Sequence, residues 1–474
     1  MPEESNLRPA SRPYQTRRRN RMYSYKTYTV ITDNGPYIAK LILNAPEKLT
    51  APQISPDTFS VYVERKNPET GEIFMASKEW LGPKIYPSKG YRTVSKAYPC
   101  DETGKQVFES GQIALEMPYG PGYPTGYSQA ALRNHLNEFL RCEYRVTQVK
   151  EISAPIPFSG WIFDESDGDI CPQLQGWTNS RSHDRNMPLG YGYYTPDRKA
   201  GEKLLHSLDS GFGNEWTHEL PEKLPLVIWL HGLGEGGSDP TVAYTGNKVV
   251  NLSSADIQRK LGGAAYILCP QCPTYWMDYG SGKKKQPEKE GVESIYTEAL
   301  KSLIDEFLEL HPDIDRDRIY IGGCSNGGFM TMRMIVSYPD FFAAAFPVCE
   351  AFRTSALTGQ DLQNLKHLPI WFTNAQDDPL VPPDGLCLPT YRKLKAAGNQ
   401  NVHVSLFENI TDQSGLFKDD EGKPYRYNGH FSWVHVYNDF CEYDLDGSRV
   451  FEDGRPVTLW RWIGKQSRKK QKNA

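Results

Sequence analysis

From Met187 onward the chain alternates short apolar runs with helix-period stretches, and few architectures accept that grammar. PLVIWL, AAYILCP, RIYIGG, AAAFPVC, LPIWFTNA and VHVSLF are strand-length and bounded by Gly, Pro or polar turns. Between them, SSADIQRKLGG predicts a short helix or turn. VESIYTEALKSLIDEFLELHP predicts an amphipathic helix stopped at Pro312, and GGFMTMRMIVSYP and LPTYRKLKAAG predict two more. Continuous apolar strands separated by helices imply an α/β fold with a mostly parallel sheet covered on both faces. Ligands in such sheets sit beyond the carboxyl ends of the strands.

The first half reads differently. YSYKTYTVI, YIAKLILN, TFSVYVERK and YRVTQVKEIS are short, β-branched or aromatic and partly alternating, with Asn-Gly, Pro and Gly between them. They predict an all-β sandwich over residues 22–150, with one helical piece in SQAALRNHLNEF. Residues 1–21 are polar and Arg-rich and read as a disordered tail, with Arg17 to Arg21 a solvated charge run. Residues 151–186 are Gly-, Asp- and Pro-rich and read as a connector, 187–466 as the α/β domain, and 467–474 as a second tail.

Composition removes several functions. With 54 Lys plus Arg against 58 Asp plus Glu, the net charge of -4 excludes a globally basic nucleic-acid binder. No run of 18 apolar residues exists to span a membrane. The N-terminus lacks the apolar stretch of a secretory signal, so a cytoplasmic setting is expected, with export as the alternative. Nine scattered cysteines fit reduced thiols better than a disulfide framework. Cys269 and Cys272 form CPQC without a second ligand pair at zinc spacing, so no metal or cofactor is expected.

The sharpest motif is Gly323-Cys324-Ser325-Asn326-Gly327-Gly328, lying between a predicted strand and a predicted helix. A serine there sits on a tight turn above the sheet, and flanking glycines let the helix pass close to the strand. Serine needs a base held by an orienting group. Asp377 and Asp378, directly after LPIWFTNA, are the two carboxylate candidates, with Asp378 preferred. Of the later histidines, His403 alternates within a strand and His435 reads as packing or surface. His430, in Gly429-His430-Phe431-Ser432-Trp433, is the candidate base. Oxyanion donors are expected from the backbone of Asn326 and, in the loop His231-Gly232-Leu233-Gly234-Glu235-Gly236-Gly237, from Leu233, with Gly234 next. That loop lacks the Gly-Lys-Ser/Thr ending of a phosphate-binding loop.

Together these strings resemble the α/β-hydrolase superfamily. Residues 187–465 look like the polyhydroxybutyrate-depolymerase-like and feruloyl-esterase-like carboxylesterases, a branch near the prolyl oligopeptidases. The strings that carry the likeness are Leu230-His231-Gly232, Asp317-Arg318-Ile319-Tyr320 leading into the serine motif, Asp378-Pro379-Leu380-Val381-Pro382, and Gly429-His430-Phe431-Ser432-Trp433. The first half resembles the immunoglobulin-like N-terminal domain that some of these esterases carry. The resemblance implies an α/β-hydrolase catalytic domain acting by acyl transfer from Ser325 on small-molecule or oligosaccharide-linked esters. Acyl groups of short-chain, acetyl or hydroxycinnamoyl type are expected. Trp276 and Trp433, as aromatic pocket walls or as core, and Glu235 are the candidate substrate-binding residues. A serine exopeptidase of the prolyl oligopeptidase kind is the alternative; it needs a cationic or acidic anchor for a peptide terminus, for which Glu235 or Glu350 could be mistaken. Self-association into a homo-oligomer is left open.

Overall fold

The computed structural model describes residues 23–77, 85–121, 130–133, 136–152, 159–206, 219–280 and 288–472. The N-terminal tail expected over 1–21 lies outside them.

Alternation at period two builds the first half. Phe59–Lys66 alternates buried and half-buried positions along its whole length, so Phe59, Val61 and Val63 turn to one side. This strand belongs to a four-stranded sheet with Lys89–Arg92, Arg141–Gln148 and Ile162–Phe163. A five-stranded sheet built around Ser24–Thr32, Gly35–Thr50 and Glu109–Glu116 faces it. Leu41, Leu43, Ile113, Leu115, Val146 and Phe163 fill the space between as one core, making an all-β sandwich.

The second half is an eight-stranded sheet: β1 Trp177–Arg181, β2 Gly190–Tyr194, β3 Leu224–Leu230, β4 Tyr266–Gln271, β5 Ile314–Cys324, β6 Ala344–Val348, β7 Ile370–Ala375 and β8 Val402–Phe407. Their spatial order is β1-β2-β4-β3-β5-β6-β7-β8. β1 and β2 run antiparallel to their neighbours, and all the other pairs are parallel. Every residue of β3 is buried because the sheet is covered on both faces. Leu224, Leu226, Ile228 and Leu230 enter one core with helix α1, Thr297–Leu310. Val227 and Trp229 enter the other. On α1 the buried residues Leu300, Leu303, Ile304, Phe307 and Leu308 form a single stripe. This is the α/β-hydrolase layout that the alternation of strands and helices implied.

Three expectations differ from what is seen. SQAALRNHLNEF carries a two-stranded ladder, Ala130–Arg133 with Leu136–Phe139, where a helical piece was expected. A helix of that length is marginal without a packing partner. The stretch expected to connect the halves contributes a strand to each large sheet. Glu165–Ile170 pairs parallel with Ser24–Thr32, and Trp177–Arg181 forms the sheet edge. Both are polar and mostly exposed, so they pair through the backbone without an apolar alternation to betray them. The C-terminal basic stretch is docked through residue 472: Arg468–Lys472 is helical. Arg468 donates to Asp317 at 3.0 Å and Gln471 to the Ala343 carbonyl at 2.7 Å.

The two halves meet at the turn between the first two strands. Asn438 Nδ2 donates to Asp33 Oδ1 at 3.0 Å, Ile31 belongs to a core of the large sheet, and Tyr119 packs edge-on against Phe417. All nine cysteines are free, and only Cys142 and Cys171 are partly exposed. Burial pushes the Cys269, Cys272, Cys324, Cys349 and Cys387 thiols well above their ordinary value. A thiol titration of the native protein is therefore expected to find at most these two groups reacting promptly. All nine should react after unfolding in guanidinium; prompt native reaction of five or more would contradict this burial.

Candidate functional site

β5 ends at Cys324, and the next residue turns sharply. Ser325 has φ 56° and ψ -113°, a conformation costly for any residue with a side chain and retained only where the surroundings hold it. Its N–H donates to the Val348 carbonyl at 2.9 Å, and its carbonyl accepts from Phe329 N–H at 2.9 Å. The following helix, α2, Asn326–Ser337, starts unusually close to β3. A Cβ on Gly327 would lie 2.0 Å from the Leu230 carbonyl oxygen, and one on Gly323 2.4 Å from the same atom. The glycines are thus required by close approach, while the positive φ falls on the serine.

Ser325 Oγ lies 2.9 Å from His430 Nε2. The other ring nitrogen faces Asp378, with His430 Nδ1 2.9 Å from Oδ2 and 3.1 Å from Oδ1. The carboxylate can only accept, so Nδ1 carries the proton and Nε2 is the acceptor for the serine hydroxyl. Asp378 Oδ1 also accepts the N–H groups of Leu380 and Val381 at 2.9 Å each. These fix the carboxylate in a tight turn. Asp377 turns the other way and pairs with Arg426 at 2.8 Å. Its carboxylate overlies Gly429, where a Cβ would come within 2.1 Å of Oδ1. The adjacent aspartates are thus separated by geometry: Asp378 meets the imidazole and Asp377 clamps the loop before it. His430 is buried, and its N–H is held by Asn428 Oδ1 at 2.9 Å.

The loop after β3 reaches the same place. Leu233 opens a short 3₁₀ turn, Leu233–Glu235, and Asn326 opens α2. Neither N–H has an acceptor within its own turn or helix. His231 anchors the base of the loop: Cys272 N–H donates to its Nε2 at 3.2 Å, so its Nδ1–H donates to the Gly232 carbonyl at 2.6 Å. Burial pushes this imidazole down to about 4 and keeps it neutral. Glu235 is buried beneath the loop. Its Oε1 accepts from Asn247 Nδ2 at 3.1 Å. Burial raises its carboxyl to about 7, against the opposing pull of a hydrogen bond from Gly232.

The aromatic candidates divide. Trp433 packs edge-on against the His430 ring with centroids 5.5 Å apart, and stacks on Phe431. Trp276 is fully buried between His231 and Tyr296, so its ring offers no wall to a ligand. It meets the site through its backbone N–H, which donates to Asn326 Oδ1. A tryptophan beside a turn reads alike in sequence whether it faces a pocket or a core. His435 is buried against Phe407, and burial lowers it to about 4. His403 lies in β8 with Nδ1 on Asp444 at 2.8 Å. Glu350 is buried after β6, its carboxyl raised to about 8 by burial.

Sequence reasoning missed Arg426, whose pairing takes Asp377 out of contention from 49 positions away. It also missed Cys349, whose Sγ lies with Asp378 and His430 ligand atoms inside a 4.8 Å cluster. These are the side chains of metal-binding types that converge among the described residues. Metal binding requires a thiolate, and burial opposes one at Cys349. The His430–Asp378 bond occupies the other two.

Comparisons with known proteins match both halves of the chain. Residues 24–155 match the esterase immunoglobulin-like N-terminal domain, and residues 219–414 match the phospholipase/carboxylesterase family. The chain therefore carries an esterase-type immunoglobulin-like N-terminal domain followed by an α/β-hydrolase domain of the phospholipase/carboxylesterase type. Among curated proteins it is similar to poly(3-hydroxyalkanoate) depolymerase C of Paucimonas lemoignei, at 28% identity over 153 residues. That alignment spans 29% of this chain and 32% of the depolymerase. Among solved structures, a thermostable esterase superposes with a TM-score of 0.66 at 21% identity, covering 94% of this chain and 99% of the other. Among the described residues no helix is long and apolar enough to cross a membrane.

The glycine contacts make a direct prediction. Gly327→Ala should lose at least about 2 kcal/mol through forced displacement of the Leu230 backbone, read as a lower melting temperature by calorimetry. Gly359→Ala, with nothing within 4 Å of its Cβ, serves as the control and should melt unchanged.

Proposed function

We propose that the protein is a serine carboxylesterase acting through an acyl-enzyme. The observation that carries this reading is the 2.9 Å contact between His430 Nε2 and Ser325 Oγ, made by a serine on a strained turn. His430 takes the hydroxyl proton as Ser325 Oγ attacks the ester carbonyl. Asp378 holds the imidazole tautomer and stabilises the imidazolium that forms. The N–H groups of Asn326 and Leu233 receive the developing oxyanion. His430 then protonates the departing alcohol, and water, giving its proton to the same nitrogen, releases the acid. Small uncharged esters of short-chain, acetyl or hydroxycinnamoyl acids are the proposed substrates, and Trp433 is an apolar ring packed directly against His430. A thermostable esterase and a depolymerase of a polyester among the similar proteins favour ester over amide bonds. Glu235 and Glu350 have their carboxyls in the interior, so neither can anchor a peptide amino group.

The test is a panel of acetyl, butyryl and feruloyl esters with matched dipeptidyl amides. Esters should turn over faster, and amides ahead of esters would favour a peptidase. Ser325→Ala should lower kcat by about 10⁴-fold or more, and full retention of ester hydrolysis would end the assignment. Asp378→Asn should cost about 10³- to 10⁴-fold in kcat, while Asp377→Asn should stay within roughly tenfold. Comparable small losses in both would reject Asp378 as the orienting group.

A further inference from the structure

A buried carboxyl needs a reason to be there, because burial opposes its charge and its hydrogen-bonding atoms must still be met. Glu235 is such a group, and it sits inside the loop that carries the Leu233 N–H. Its surroundings are specific. Gly246 passes so near that a Cβ there would lie 2.8 Å from Glu235 Cγ. A Cβ on Gly232 would lie 3.0 Å from Oε2. Two glycines thus leave the space that the side chain fills. Oε1 accepts from Asn247 Nδ2 at 3.1 Å, and Asn247 Oδ1 accepts from Tyr437 OH at 2.7 Å. Asn247 is therefore oriented with its amide nitrogen toward the carboxyl. Oε2 lies against Gly232 on its other side, and the Glu235 carbonyl accepts from Gln271 Nε2 at 2.9 Å. The loop is pinned by its own buried side chain at the residue immediately before Leu233.

We infer that Glu235 is the positioning residue of the oxyanion loop: its carboxyl, braced by Asn247 and Tyr437, holds Gly232 so that the Leu233 N–H points at the developing oxyanion. This inference rests on the acyl-transfer reading of Ser325. Glu235 touches neither the substrate nor the reacting atoms and acts through the backbone. A residue that merely fills the core would alter stability. A positioning residue selectively alters the transition state, because an oxyanion donor acts most strongly once charge has formed.

The experiment measures kcat and KM on p-nitrophenyl acetate per active site titrated by the acyl burst. It also measures the affinity of an aryl trifluoromethyl ketone, which presents Ser325 with a tetrahedral oxyanion. Glu235→Ala should lose about 30-fold or more in kcat with KM held within about threefold, and the ketone should weaken in parallel with kcat/KM. Glu235→Gln should be impaired as well, since its amide would face the amide of Asn247. The paired variant Glu235→Gln/Asn247→Asp restores a donor opposite an acceptor and should recover at least tenfold over Glu235→Gln. If Glu235→Ala yields no folded protein, the comparison of the Gln single and paired variants decides. Glu235→Ala keeping kcat within threefold per titrated site, or no recovery in the paired variant, would overturn the inference. Failure of the acyl-transfer reading is a different result: activity would survive Ser325→Ala.

Discussion

The carbonyl of Leu230 is the point on which the site is assembled. It ends β3, and the glycines on either side of Ser325 approach it more closely than any side chain would allow. Two consequences follow from one contact. The close approach forces the chain to turn within a single residue, which puts the positive φ on Ser325 and lifts its hydroxyl above the sheet. It also sets the start of α2 beside the residues that follow Leu230, the loop from His231 to Gly237. Ser325 and Leu233 therefore share a reference point, although 92 positions separate them in the chain. Strain at Ser325 is tolerable because its N–H and carbonyl both find partners, on β6 and within α2.

Beneath the loop, His231 and Glu235 are each held by specific polar partners. His231 is a case in which the partners dictate the chemistry. Cys272 N–H occupies one ring nitrogen, the Gly232 carbonyl takes the proton of the other, and a charged ring would leave Nε2–H facing a donor. Desolvation depresses the proton affinity of His231, and the bond to the Gly232 carbonyl opposes that shift. His430, 9% exposed at its side chain, instead has an acceptor on one side and a hydroxyl on the other. Two histidines at the same sheet edge thus have opposite surroundings, one held between a donor and a carbonyl and one between a carboxylate and a hydroxyl.

Legibility in the sequence follows from how local each cause is. The turn around Ser325 was readable because strand, glycines and helix all lie within about twenty residues. The sandwich strands were readable where one face is buried, as in Phe59–Lys66. Glu165–Ile170 was not readable: its residues are polar, and the strand is held by backbone pairing with two threonine hydroxyls donating to Asp169. The choice between Asp377 and Asp378 was underdetermined for a similar reason. Both follow β7 directly. What distinguishes them is the pair of N–H groups from Leu380 and Val381 on one and a distant arginine on the other. Trp276 shows the converse error, since an aromatic near a site signals proximity without saying which way the ring faces.

The position of His430 depends on contacts that neither half supplies alone. Upstream, Asn428 caps its turn and Asp377 lies against Gly429. Downstream, the helix Trp433–Tyr437 ends at Asn438, which bonds Asp33 in the sandwich and accepts from Lys248 Nζ at 2.9 Å. Asp33 is buried, and desolvation raises its carboxyl while Lys248 opposes the shift. A carboxylate in that position is stable only while its partners remain, so the sandwich is coupled to this helix by a polar contact that tolerates little displacement. The tyrosine that precedes Asn438 is the one that orients Asn247 toward Glu235. The short helix after His430 therefore faces two ways, toward the sandwich through Asn438 and toward the Glu235 loop through Tyr437. Its placement fixes the histidine and the loop together.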